Sequence, residues 1–299
     1  MYFCFPMREI ISIVPNEVTT AELHGYLLGA VGPRPIAFAS TIDEQGRPNL
    51  APFSYFNVFS ANPPILIFSP ARRVRDNSTK HTLENVLKIK EVVINVVDFS
   101  MVQQMSLAST EYPEGENEFK KAGLSMLSSD LVKPFRVAEA PVQFECKVTK
   151  VEALGLNGGA GNLVFCEVVK VHVAKAILDE NGSIDQHKID LVARMGGNWY
   201  SRANMGLFEV PKPILSLGIG VDALPDAIKS STILTGNDLG MLGNIEKIPT
   251  LEEVEHFIAS NVELRALISA DDKAKLHVRA QEYLQKNDVL SAWKVLLSN

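Results

Sequence analysis

GAVGPRPIAFASTIDEQGRPNLAPFSYFNVFSANPPILIFSPARRVRDNSTKHTLEN, residues 29–85, decides how this chain reads. Residues 36–42 are apolar and rich in strand formers, and Asp43-Glu44-Gln45-Gly46 has the leading Asp and closing Gly of a tight turn. A strand-like pattern resumes over residues 49–59 with Tyr55, Phe56, Val58 and Phe59, so the two runs predict a β-hairpin. Asn62-Pro63-Pro64 ends the second run, because proline cannot donate to a ladder and keeps the residue before it extended. Residues 65–69 read as a short apolar strand and 70–79 as a loop. Residues 80–88 read as a helix with Leu83, Val86 and Leu87 on one face.

Upstream, REIISIV (residues 8–14) reads as a short strand and residues 20–28 as a helical lead-in. Downstream, residues 92–97 predict a buried strand, and Ser100 with Gln103 has the spacing of a capping box for a helix through Ala108. Residues 111–123 read as a polar loop and a short helix closed by Gly123. Residues 142–153 and 163–174 alternate in polarity, which predicts a long antiparallel hairpin with one solvated face, turned by the glycine-rich residues 155–161. A dinucleotide fingerprint does not fit that glycine run, since a strand and not a helix follows it. In a symmetric hairpin Cys146 and Cys166 come close across the strands as buried reduced thiols. After the block at 189–200, Pro211-Lys212-Pro213 marks a domain boundary, giving divisions at residues 1–212 and 213–299. The tail is helical: Thr250 and Glu253 make a capping box, Leu251, Val254, Phe257 and Ile258 keep a 3.6-residue period, and residues 273–286 and 289–298 predict two more helices.

At 299 residues and 46% hydrophobic composition the chain fills a sizeable core, and no apolar run reaches the roughly 18–20 residues of a membrane span. The first fifteen residues lack a basic leader region and a small-residue cleavage site, so no secretory signal is expected and Met7 is an alternative start. Three cysteines suit a reducing, cytoplasmic setting. A net charge of -6 gives no general attraction to nucleic acid or anionic membrane. Six histidines without ligand spacing give no metal site, and no GxSxG or P-loop pattern supports a hydrolase or a nucleoside triphosphatase.

Residues 71–80 place Arg72, Arg73, Arg75, Lys80, Ser78 and Thr79 directly before a helix start, and a phosphate dianion needs such guanidinium forks, hydroxyls and free helix amides. A solvated charged loop has the same composition. Arg34, stiffened between Pro33 and Pro35, is either a positioned cation or an exposed turn residue. Ser40, Thr41, Asn49, Ser54 and Asn57 either meet the edge of a heteroaromatic ring or face water on an edge strand. Arg194 beside Gly196-Gly197 is either near a ligand or part of a strand-end turn.

The ordered set Pro33-Arg34-Pro35-Ile36, Ser40-Thr41, Gly46, the run NLAPFSYFN at 49–57, Pro63-Pro64, KHTLEN at 80–85 and Val93-Ile94-Asn95 resembles the flavin reductase-like, FMN-binding split-barrel family, which includes the flavoredoxins. The resemblance spans residues 22–211. It implies a mainly β, Greek-key split β-barrel with short helices that forms homodimers and binds FMN near the subunit interface, with the C-terminal α-helical extension outside the shared domain. Ser40, Thr41, Asn49, Ala51, Pro52, Ser54, Phe56 and Asn57 would line the ring and ribityl chain, with Arg34 and Pro35 beside them. Main-chain amides of residues 51–54 would stabilise the reduced ring. Ser69, Arg75, Lys80, His81 and Thr82 would hold the phosphate, and Arg194 would reach the cofactor or the nicotinamide. Many relatives have Asp at the position of His81, so its role does not transfer.

The expected activity is hydride transfer from NAD(P)H to bound FMN, with electrons passed to free flavin, a metal complex or a protein. A flavin-binding electron carrier or regulatory module without its own NAD(P)H site is the alternative, and a haem-binding barrel a third.

Overall fold

The computed structural model describes residues 9–210, 217–270 and 272–298. The described residues fall into two compact units, one spanning Ile11–Phe208 and the other carrying the helices after Glu209. The boundary signal at 211–213 lies outside the described residues.

In the first unit, helix α1 (Thr20–Ala30) starts at a full capping box between Thr19 and Glu22 and buries none of its side chains. Strands β1 (Ala37–Ile42) and β2 (Pro48–Phe53) form the expected hairpin. Its turn closes through Gly46, at φ 78°, donating to the Asp43 carbonyl, while the Asp43 carboxylate accepts from the amides of Gln45 and Arg47. The chain then bends at Ser54-Tyr55 into β3 (Phe56–Ala61), which pairs with β4 (Pro64–Phe68). The run 49–59 is therefore two strands, and its second half pairs with β4 and not with β1.

Helix α2 (His81–Ile89), β5 (Glu91–Asn95), α3 (Val102–Leu107) and α4 (Glu118–Ala122) follow, then the short pair β6 (Met126–Leu127) and β7 (Arg136–Val137). The long hairpin β8 (Val142–Ala153) and β9 (Asn162–Val173) and the small hairpin β10 (Val192–Arg194) and β11 (Tyr200–Arg202) complete the unit. Seven strands form one antiparallel sheet in the order β2-β1-β5-β8-β9-β4-β3. Strands β2 and β3 are its two edges, yet only Ser54 and Tyr55 separate them in sequence. The sheet must therefore curl until its edges meet at that bend, and the seam between β2 and β3, which has no ladder, is the split of a split barrel.

The β2 edge is closed by its own sequence. Pro48 and Pro52 have no N–H, and the Leu50 amide between them donates to the Glu118 carboxylate at 3.1 Å. These three share one strand face, so Asn49, Ala51 and Phe53 are the residues whose amides point at β1. Of the amides expected to stabilise a reduced ring, those of Ala51 and Phe53 are thus turned into the ladder and Pro52 has none, which leaves Ser54.

Both barrel faces are packed. Phe38, Leu50, Met101, Met105 and Phe119 form one cluster, and Ala39, Phe53, Phe68, Val86, Ile94, Cys146 and Cys166 another. The thiols are free and buried on adjoining strands, with Val168 opposite Cys146 and Val148 opposite Cys166. Two expectations need correction. Residues 9–14 form no strand, because neither sheet edge pairs with them and Ile10 and Ile11 stay 80% and 72% exposed. The cap near residue 100 is Asp98, whose carboxylate accepts from the Met101 amide and the Ser100 hydroxyl, so Ser100 is the capped group and not the cap.

The second unit contains helices α5 (Asp226–Lys229), α6 (Gly236–Gly243), α7 (Leu251–Ser260), α8 (Val262–Ser269), α9 (Lys273–Leu284) and α10 (Val289–Leu296). Its core gathers around the fully buried Trp293, whose indole N–H donates to the Leu242 carbonyl at 3.0 Å. The Thr250–Glu253 capping box is present, and a second box at Thr235 and Asp238 starts α6.

Candidate functional site

A cleft of about 680 Å³ lies at the split. Its apolar wall comes from Leu23, His24, Leu27 and Leu28 of α1 and from Pro52 to Tyr55 at the β2–β3 bend. Its other end is cationic and consists of Ser69, Arg72, Arg73, Arg75 and Lys80, with Glu111 beside them. One cavity thus presents apolar, aromatic lining and lining suited to an anion.

The glycine-rich turn shapes the cationic end. The Arg72 amide donates to the Ala160 carbonyl at 2.8 Å, the Gly159 amide to the Arg72 carbonyl at 2.9 Å, and the Asn77 side chain to the Leu156 carbonyl at 3.0 Å. A Cβ on Gly158 would lie 2.9 Å from the carbonyl oxygens of Arg73 and Val74, and Gly159 holds φ 90°, so no other residue fits either place without a shift. The turn closes the β8–β9 hairpin and also clasps the basic loop. Asn162 completes the clasp, its amide on Ser69 Oγ at 3.0 Å and its side chain on the Pro70 carbonyl at 2.9 Å.

Arg73 is fixed by the Ser78 hydroxyl at 2.9 Å and the Thr79 carbonyl, and it pairs with Glu111 at 2.8 Å. Arg75 also pairs with Glu111, and with Asp76 at 3.0 Å. Lys80 has no carboxylate partner among the described residues. Burial, then the charge of Arg73, pushes its ammonium below the usual lysine range, with Glu111 opposing and Arg75 adding to the shift. An anion bound there would relieve that repulsion. Lys80 is also the N-cap of α2, which has no side-chain cap.

Of the residues singled out from sequence, Pro52, Ser54, Ser69, Arg75 and Lys80 line the cleft. Asn49, Ala51, His81 and Thr82 line a side pocket that shares Arg73, Lys80 and Glu111 with it. Arg194 lines a pocket of about 160 Å³ on the other side of Pro52 and Ser54, its guanidinium 4.6 Å from the centre of the Tyr200 ring. The others line none of these three cavities. Thr41, fully buried, accepts from the side chains of Asn49 and Asn85 at 3.2 and 3.0 Å, and Asn49 also donates to Thr82 at 2.9 Å, a network that seats α2 on the sheet. Ser40 Oγ is buried without a partner among the described residues. Pro35 and Asn57 are exposed, Asn57 accepting from the Val58 amide, and Phe56 packs on the second core cluster.

Arg34 is 6% exposed, and its guanidinium is spent on backbone: the Leu28 carbonyl at 2.7 Å, the Val31 carbonyl, and the Met195 carbonyl at 2.8 Å. It ties the end of α1 to the turn after β10. Sequence reasoning missed the α1 wall and Glu111 as parts of the cleft, while Tyr55 fell inside the 49–57 segment expected at the ring. Arg73 stood in the same basic run as Arg75 and was the one with a local signal.

Asp130, Glu145 and His172 also cluster. Glu145 accepts from the amides of Asp130 and Leu131 and contacts His172 Nε2 at 2.7 Å, while Asp130 pairs with Lys170, so the group reads as a tie between a loop and the β8–β9 hairpin.

Residues 30–188 match the family model described as "Flavin reductase like domain". An uncharacterized protein of Aquifex aeolicus is 39% identical over 194 residues, 64% of this chain and 96% of that protein. The crystal structure of nitrilotriacetate monooxygenase component B from Bacillus cereus has 30% identity and a TM-score of 0.64, covering 68% of this chain and 100% of its own. That of the 2-nitrobenzoate 2-nitroreductase NbaA from Pseudomonas fluorescens has 25% identity and a TM-score of 0.62, covering 70% and 100%. With this fold, this cleft and a family model matched over more than half its length, the chain belongs to the flavin reductase-like family of split-barrel proteins.

Proposed function

We propose that the cleft binds FMN and that the protein is an NAD(P)H-dependent flavoprotein oxidoreductase that passes electrons to a small-molecule or protein acceptor. The observation that carries this reading is the two-part cleft, an apolar and aromatic half joined to the cluster of Arg73, Arg75, Lys80 and Ser69. That donor set fits a phosphate monoester, and the half formed by Leu27, Leu28, Pro52 and Tyr55 fits a flat ring. Bound FMN would supply the hydride-accepting and electron-passing chemistry. The chain's own residues would bind and orient: the basic loop anchors the phosphate, and the Ser54-Tyr55 bend sets the ring at the split. Burial raises the Tyr55 hydroxyl above the usual tyrosine range, so it is a neutral donor at physiological pH. Arg194, which shares a pocket with Pro52 and Ser54, would meet a second substrate at the ring.

We further infer a homodimer. Helix α1 leaves Tyr26 and Leu27 each 50% exposed and its C-cap Val31 61%, and Val58 and Phe59 on β3 are each 63% exposed, an apolar display that a second copy would cover beside the split. Among the described residues no helix is long and apolar enough to cross a membrane. The reduced thiols suit the cytoplasm, and the division of the chain after residue 212 leaves the helical unit as an accessory.

The test is the absorption spectrum of the purified full chain, followed by anaerobic mixing with NADH and with NADPH. A bound flavin spectrum that bleaches with one donor is expected. A flavin that bleaches with neither makes the protein a carrier, and a Soret band without flavin removes FMN altogether.

A further inference from the structure

Glu111 lies at the phosphate end of the cleft, where a carboxylate opposes the anion the site would hold. One of its oxygens meets Arg73 Nε at 2.8 Å and the other meets an Arg75 guanidinium nitrogen. A carboxylate with one oxygen on each of two guanidinium groups presents what two oxygens of a phosphate present, so the two anions are alternatives for the same donors. The neighbourhood shows which partner is free to move. Arg73 is held in place by Ser78 and Thr79, whereas Glu111 sits on an exposed polar stretch between α3 and α4 with its side chain 37% exposed. Lys80, a few residues along the loop, is half-buried without a carboxylate partner among the described residues and waits for an anion that Glu111 does not supply. The two arginines hold Glu111's carboxyl well below the usual carboxylate range, so it is ionised whenever a phosphate would arrive.

We propose that Glu111 is an internal anion that competes with the ligand phosphate for Arg73 and Arg75, and thereby sets how strongly the cleft prefers a phosphorylated flavin to its dephosphorylated form. The proposal rests on the FMN reading above. An entering phosphate displaces the Glu111 carboxylate from one or both arginines, and the freed side chain turns out to solvent. Part of the phosphate's attraction offsets the lost ion pairs, so affinity for FMN is held below what the cations alone would give, while a neutral flavin leaves Glu111 in place.

The experiment titrates the flavin-free full chain with FMN, riboflavin and inorganic phosphate, comparing the native protein with Glu111→Gln and Glu111→Asp. Glu111→Gln should tighten FMN binding on the order of tenfold at low salt and change riboflavin binding by less than about twofold. Inorganic phosphate should raise the melting temperature of Glu111→Gln more than that of the native chain. Glu111→Asp, which keeps the charge on a shorter arm, should fall between them and covers the case in which the glutamine variant folds poorly. Weaker FMN binding in Glu111→Gln, or an equal change for FMN and riboflavin, would overturn the proposal, since Glu111 would then only be orienting the arginines. If no flavin binds either protein while phosphate still protects Glu111→Gln more, the competing anion stands and the FMN reading falls.

Discussion

Replacing Arg34 with Met should destabilise the barrel unit, and by an amount the structure lets one work out. The substitution removes the donors to the carbonyls of Leu28, Val31 and Met195 and the weaker contact with Ser54 Oγ at 3.4 Å. Hydrogen bonds from a charged group contribute about 1.5–3 kcal/mol each, and acceptors left buried cost more than acceptors that regain water. Against this, burial already pushes the Arg34 guanidinium below its usual range, so part of the gross gain offsets desolvation. A net loss of about 2–4 kcal/mol follows, which for a unit of about 150–250 residues is roughly 5–15 °C in melting temperature. Arg34→Lys should recover part of it, because an ammonium can serve some of those carbonyls. Calorimetry of the flavin-free full chain reads this directly, with flavin affinity measured alongside. If Arg34→Met melts with the native protein yet loses flavin, Arg34 is a ligand contact and the structural account is wrong.

Three further outcomes are expected. Lys80→Ala should weaken FMN binding by about tenfold or more and leave riboflavin binding and the melting temperature nearly unchanged, measured by quenching of flavin fluorescence. In a Cys4→Ser background, Cys146 and Cys166 should react with a disulfide reagent only as fast as the barrel opens, since burial pushes both thiols up; fast labelling of native protein would refute their packing. In the helical unit, Ser231 Oγ accepts from the amides of Ile233 and Leu234 and so donates its O–H to His277 Nδ1, 2.7 Å away. Burial, then Lys273, lowers the His277 pKa from its ordinary 6.5, so the unfolded chain takes up the proton first and stability falls as the pH drops through that value. His277→Gln should flatten that acid slope in thermal melts, and an unchanged slope would assign it to other groups.

Local chemistry was legible in the sequence and long-range partnership was not. The β1–β2 turn, the Thr250 cap and the basic loop each declare themselves within a few residues. The break at Ser54-Tyr55 has neither proline nor glycine to mark it, because it arises where the chain leaves one edge of a curled sheet for the other. Helix α6 was hidden by Gly236, Gly240 and Gly243, although Thr235 and Asp238 carried its start. At the site, the phosphate end was visible because its cations are consecutive, whereas Glu111 stands 36 residues from Arg75. For Arg34 the proline-flanked setting was visible in the sequence, but its tie to the Met195 carbonyl, 161 residues away, was not.

The proline-flanked edge of β2 limits how copies of this protein can associate. Strand addition needs donors as well as acceptors, and that edge offers none, its single outward amide being taken by Glu118. A sheet that can be extended on both sides grows into a ribbon of any length, whereas one that can be extended only at β3 stops after a single partner. Two prolines and one carboxylate thus act as a chain terminator: any edge-to-edge association of these barrels is limited to pairs.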